Sequence, residues 1–114
     1  MTTISYAEKN NRFTVFMDGH AGYNPGGPDI VCAACSTLAY TLLQSVLAQA
    51  DSKSIKTMSY GEDPNAGTFF LELTAQDHSL EKIRTIFQVI LNGYALLEHK
   101  YPENVKLCAT SGEK

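Results

Sequence analysis

Positive charge is scarce in this chain: nine Lys and Arg stand singly among 114 residues, against twelve Asp and Glu, for a net charge of -3. No basic stripe is available to track a phosphate backbone, so direct nucleic-acid binding is not expected. A basic peptide or protein partner stays compatible with that balance. The opening residues Met1-Thr2-Thr3-Ile4-Ser5-Tyr6 offer neither a charged n-region nor an apolar h-region, and no apolar run approaches the ~20 residues of a membrane span. The expectation is a cytoplasmic protein with no membrane contact. Cysteines number three, an odd count without a secretion signal, which argues for free thiols over a disulfide framework. Internal repeats, linkers and low-complexity stretches are missing too, so a single domain over 1–109 is expected, with a flexible tail at 110–114.

What is present is a core's worth of apolar residues, 44% of the chain, arranged with legible periods. Residues 4–8 and 12–17 read as two strands, the second alternating Phe13, Val15 and Met17 against Arg12, Thr14 and Phe16, with Lys9-Asn10-Asn11 as the turn. A helix is predicted from Ile30 to about Ala50, with Asp29 as N-cap and Pro28 just outside. A second hairpin follows: 54–60, a loop at 61–67 with the composition of a solvated turn, and 68–74 with Phe69, Leu71 and Leu73 on one face. The last long element is a helix capped near Asp77 and striped by Leu80, Ile83, Phe87, Ile90, Leu91, Tyr94 and Leu97 until Pro102 forbids continuation. Residues 105–109 can add a short edge strand. The order strand, strand, helix, strand, strand, helix predicts a two-layer α+β fold, an antiparallel sheet of about four strands backed on one face by both helices.

Chemistry concentrates between the second strand and the first helix. His20 lies in Gly19-His20-Ala21, and Cys32 follows twelve positions later in Asp29-Ile30-Val31-Cys32-Ala33-Ala34-Cys35-Ser36. With Asp29 as N-cap, Cys32 is the third helical position, where open amides and the helix dipole favour a thiolate. An imidazole within reach can hold the proton and return it to a leaving group near neutral pH. Turned at ~100° per residue, the helix shows a core stripe of Val31, Cys35, Leu38, Leu42 and Val46. A neighbouring stripe of Cys32, Ser36, Leu43 and Leu47 makes the apolar arc wider than one sheet contact requires. The second helix, a substrate groove or a partner subunit would cover it.

Gly19-His20-Ala21, the glycine-bearing loop, Asp29-Ile30-Val31-Cys32-Ala33-Ala34 and Ser36 together resemble the signature of the bacterial ribosomal-processing cysteine protease (Prp) family, along nearly the whole chain. The resemblance implies a cysteine protease domain over 1–109 that uses no cofactor. Its substrate would be the precursor of large-subunit ribosomal protein twenty-seven, from which it removes an N-terminal extension, cutting after an aromatic pair and before a small residue. It also implies Cys32 as nucleophile and His20 as acid-base partner. Gly19, Asp29 and Ser36 fall on further family positions: Asp29 would cap the helix and orient His20, and Ser36 would supply a supporting hydrogen bond. The loop Gly22, Tyr23, Asn24, Pro25, Gly26, Gly27 and Pro28 would be a flexible cover, and an amide from it or from the helix start would bind the oxyanion. A homodimer is expected from the family and from the wide apolar arc. Cys35 departs from the family, which more often has an aliphatic residue there.

Other readings stay open on the residues alone. Cys32-Ala33-Ala34-Cys35 is a Cys-x-x-Cys at a helix start, the arrangement of disulfide oxidoreductases, though the flanking hairpins do not make a βαβ unit. A zinc site could draw on Cys32, Cys35, Cys108 and one of His20, His78 or His99, yet no second Cys pair accompanies it. A module that binds an extended peptide without cutting it would show the same groove. The bland alternative makes Cys32 a small buried residue, His20 a turn residue and Ser36 a helix filler.

Overall fold

Period-two alternation builds the middle of the sheet. In the computed structural model, which describes residues 1–50 and 53–110, strand β2 (Arg12–Asp18) buries Phe13, Val15 and Met17 and turns Arg12, Thr14 and Phe16 away. Strand β1 (Thr2–Lys9) pairs with it antiparallel through a tight turn in which Asn10 and Asn11 take φ of 53° and 68°, the left-handed values such hairpins need. Strands β3 (Ile55–Asp63) and β4 (Thr68–Ala75) form the second hairpin, and β4 adds antiparallel to β2 with Phe69, Leu71 and Leu73 buried.

Strand β5 (Val105–Ala109) completes a five-stranded sheet of order β3-β4-β2-β1-β5, and it runs parallel to β1. The sheet is therefore mixed and five-stranded, where an antiparallel one of about four was expected. The reason lies in the connection: a helix-length crossover carries the chain back along the sheet, which a tight hairpin cannot do. Thr110 prolongs the pairing, donating its N–H to the Tyr6 carbonyl at 2.8 Å, so it is tied to β1. The rest of the expected tail, 111–114, lies outside the described residues.

Helices α1 (Ile30–Ala50) and α2 (Leu80–Lys100) cover one face of the sheet. A single 3-10 turn at Asp77–Ser79 precedes α2, so the helix proper starts three residues after the expected cap. The buried stripe of α1 is Val31, Cys35, Ala39, Leu42 and Val46, and α2 answers with Ile83, Phe87, Ile90 and Tyr94. Leu38 turns to the flank, where Gly93 admits it: a Cβ on Gly93 would stand 2.8 Å from Leu38 Cδ2. Thus α2 closes much of the wide apolar arc of α1. The Tyr94 hydroxyl donates to the Cys35 carbonyl at 2.9 Å, and the Phe13 and Phe87 rings stack at 4.9 Å.

By length and composition, Ile30–Gln49 is apolar enough to cross a membrane, contrary to the expectation that no segment approached this. Ser, Thr and Gln break its apolar run, but no charge does, and small residues keep its average high. Here the helix lays its aliphatic stripe on the sheet and exposes Thr37, Tyr40, Thr41 and Gln44. The opposite face of the sheet carries no helix, and there Phe16 and Phe70 stand directly across from each other, 37% and 41% exposed.

Candidate active site

Asp29 shapes the entrance to α1. Its Oδ1 accepts the N–H groups of Val31 (3.0 Å) and Cys32 (2.9 Å), an N-cap interaction, while Oδ2 accepts those of Tyr23 (2.9 Å) and Asn24 (3.2 Å). One carboxylate thus joins the helix start to the preceding loop. Burial pushes its pKa up, but the four N–H bonds outweigh that, and the carboxyl is held below its ordinary value.

Cys32 is the third residue of that helix and only half-buried. Its sulfur accepts the Ala21 N–H at 3.1 Å. Ala21 is itself held: Asn104, in the α2–β5 connection, donates its side-chain N–H to the Ala21 carbonyl at 3.0 Å and accepts the Thr2 N–H on its own carbonyl at 2.8 Å. Neighbouring Gly19 has φ of +92°, and a Cβ there would meet the Met1 carbonyl oxygen at 2.6 Å, so only glycine fits. The Thr2 hydroxyl donates to the Gly19 carbonyl at 2.9 Å, and the Gly19 N–H reaches the Gly67 carbonyl at 2.9 Å.

His20, exposed, shares with Cys32 a cleft of about 130 Å³ that Gly19, Ser36, Tyr40, Glu62, Pro64 and Gly67 also line. No hydrogen bond joins the two among the described residues. The His20 Nε2 lies instead 3.1 Å from the main-chain carbonyl of Asn65. Asp29 does not orient His20 as expected, because both its oxygens are occupied by backbone amides. Ser36 stands one turn beyond Cys32 on the cleft wall, where its hydroxyl makes no hydrogen bond among the described residues. The supporting bond expected of it is not made among the described residues.

The loop of residues 22–28 does not line this cleft. It lies exposed beside the helix start, held by Asp29, by the Asn24 side chain donating to the Pro28 carbonyl at 2.9 Å, and by the Tyr23 ring edge-on to Tyr101 at 5.3 Å. The cleft's far wall is the β3–β4 turn, read from sequence as a mere solvated loop. Its composition gave no sign of this; only the fold brings residues 62–67 to His20. Across the cleft mouth the Tyr40 hydroxyl donates to Glu62 at 2.6 Å, and that bond, with burial and the Glu62 charge adding, raises the phenol's pKa. The helix-start amides of 31, 32 and 33 are all taken by Asp29, leaving none of those three for an oxyanion.

Cys35 is fully buried, and burial, with the Cys32 and Asp29 charges adding, pushes its thiol up to about 11. A thiol so held is a core hydrophobe, ill-suited to disulfide exchange. Cys108 pairs in register with Ser5 on the helix-free face of the sheet, away from Cys35 in the core. The described residues bring together no group of three His, Cys, Asp or Glu that could hold a metal, so the four-ligand zinc set is not assembled.

This arrangement has counterparts among known proteins. The chain is 29% identical over 93 residues, 82% of each sequence, to the ribosomal processing cysteine protease Prp of Staphylococcus aureus strain Mu50. It superposes with a TM-score of 0.72 on the crystal structure of the essential ribosomal processing protease Prp from S. aureus in complex with a covalently linked product peptide, at 29% identity, covering 96% of this chain and 100% of that one. SMU.848 from Streptococcus mutans is similar at a TM-score of 0.71 and 29% identity, with 96% of each chain covered. The family model of cysteine protease Prp matches residues 1–106, and the chain belongs to that family of cysteine proteases.

Proposed function

We propose that this protease cuts the N-terminal extension from the precursor of large-subunit ribosomal protein twenty-seven, after an aromatic pair and before a small residue, with Cys32 as nucleophile and His20 as its acid-base partner. The observation that carries the reading is the Cys32 sulfur, seated in the first turn of α1, holding an amide N–H at 3.1 Å and opening into the cleft that His20 lines. The thiolate attacks the scissile carbonyl, forming a C–S bond while the oxygen takes the electron pair. We assign the Ala21 N–H, already directed at the sulfur, to that oxyanion. His20 gives its proton to the departing amine as the C–N bond breaks, leaving a thioester. Water then adds to the thioester, giving up a proton to His20, and the acid product departs as the C–S bond breaks.

The names of the S. aureus relatives and their structures with substrate and product peptides support the coarser part of this reading, a protease that processes a ribosomal protein; the particular precursor and its aromatic junction are what the family resemblance implies. This activity fits a chain with a domain over 1–109 working in the cytoplasm without nucleic-acid contact of its own. We infer a homodimer as well. Because α2 closes much of the arc on α1, the support lies elsewhere, in the exposed Phe16 and Phe70 on the helix-free sheet face. Light scattering at micromolar concentration checks it, and a monomer there would contradict it.

The deciding experiment incubates the protein and its Cys32→Ala and Cys35→Ala variants with a peptide bearing the aromatic-aromatic-small junction, read by mass spectrometry. Cleavage by the parent and Cys35→Ala but not by Cys32→Ala is expected. Equal cleavage by Cys32→Ala would remove it as nucleophile.

A further inference from the structure

An imidazole that serves a thiol must present one nitrogen to the sulfur, and some other group must fix the second. Among the described residues no carboxylate does so: Asp29 is spent on four backbone amides, and the His20 ring meets a carbonyl instead. The geometry points to the main-chain carbonyl of Asn65 as the group that orients His20, carried on the 63–67 turn as a rigid mount. This assignment rests on His20 being the acid-base partner and names the third member of that site.

Three sets of contacts make the mount. The Asn65 carbonyl lies 3.1 Å from His20 Nε2. A carbonyl oxygen only accepts, so Nε2 carries the hydrogen and the neutral ring keeps its lone pair on Nδ1. The turn itself is braced: Asp63 Oδ1 accepts the Asn65 N–H at 3.1 Å and the Ala66 N–H at 3.4 Å, and the Pro64 carbonyl accepts the Gly67 N–H at 3.3 Å. Last, Gly67 brings the turn against the His20 segment. Its φ is +70°, and a Cβ there would stand 3.0 Å from the Gly19 carbonyl carbon and 3.1 Å from His20 Cε1. Its carbonyl accepts the Gly19 N–H at 2.9 Å, so the histidine's backbone and ring are held by the same turn. When the ring takes up the thiol proton, the Nε2–H bond to Asn65 becomes charge-assisted and strengthens. Asp63 and Gly67 are positioning residues: they touch no reacting atom and act through the ring.

The test is ¹⁵N NMR of the His20 ring in the parent, Asp63→Ala, Asp63→Asn and Gly67→Ala, alongside kcat and KM for peptide cleavage. The parent should show one neutral tautomer, Nε2–H, with that proton protected from solvent. Asp63→Ala and Gly67→Ala should lose the protection and drift towards a tautomer mixture, with kcat down about tenfold and KM little moved. Asp63→Asn keeps an acceptor oxygen and should restore both. A parent ring that in its neutral form carries the proton on Nδ1 and leaves Nε2 bare overturns the assignment even if no variant folds, as does a protected Nε2–H in both Asp63→Ala and Gly67→Ala. The NMR readout needs no turnover, which separates the two ideas: a His20→Ala variant that cleaves like the parent removes the dyad and the role together, whereas a wrong tautomer removes the mount alone.

Discussion

Asn104 and Ala21, 83 positions apart in sequence, meet in a 3.0 Å hydrogen bond that fixes the residue whose N–H reaches the Cys32 sulfur. The donor held by the Cys32 sulfur therefore depends on a side chain 83 positions further along the chain. Asn104→Ala frees the Ala21 carbonyl and loosens the donor beside the sulfur. Its stability loss should be about 1 kcal/mol, the ordinary worth of one such bond, while kcat falls about tenfold. Iodoacetamide alkylation of Cys32 across pH separates the two effects, because a purely structural loss leaves the profile of the folded fraction unchanged.

Asp29→Ala removes the acceptor for four amides at once. A fall of about 1–2 kcal/mol in unfolding free energy is expected from the lost cap, with a larger fall in activity because the loop and the helix start separate. Acid titration gives an independent check. The folded carboxyl is held below its ordinary value, so as pH falls the unfolded chain binds the proton first and stability declines through the lowered pKa. Asp29→Asn should flatten that part of the curve in thermal melts, and an unchanged acid limb would argue against the fourfold cap.

Cys35 predicts the alkaline behaviour. Its thiol is pushed from 9.0 to about 11, so between those values the unfolded chain releases a proton that the folded one keeps, and stability falls as pH rises. The loss is on the order of 2 kcal/mol. The buried Tyr94 phenol, raised by burial and then by Cys35, adds in the same direction at higher pH. Melting temperatures from pH 8 to 11 should drop less for Cys35→Val than for the parent; parallel curves would mean the thiol is not sealed.

The element order was readable because its signals are local. Phe13, Val15 and Met17 alternate, Asp29 caps the segment it precedes, and Pro102 ends a stripe, so the six elements of the expected order needed only windows of a few residues. Cys32 and His20 were singled out by residue type and spacing, and the fold places both on one cleft. What escaped were meetings across the sheet. Nothing near Asn65 or Asn104 marks them as site residues, since each acts through a generic amide or carbonyl on a partner 45 or 83 positions away. Where loop 22–28 lies escaped for the same reason: glycine content reports freedom of the backbone, not which surface it will lie over.

The parallel pairing of β5 with β1 also bears on when the enzyme becomes active. Thr2 faces Val105 in that register, and the Asn104 carbonyl holds the Thr2 N–H just before it. Strand β1 thus waits for a partner about a hundred residues further along the chain, a contact of very high sequence separation that forms late and slowly. Until it closes, Ala21 lacks its anchor and the thiol its donor. Proteolytic competence is in that sense a readout of completed folding, and a chain stalled short of β5 would carry both His20 and Cys32 without the anchored donor between them.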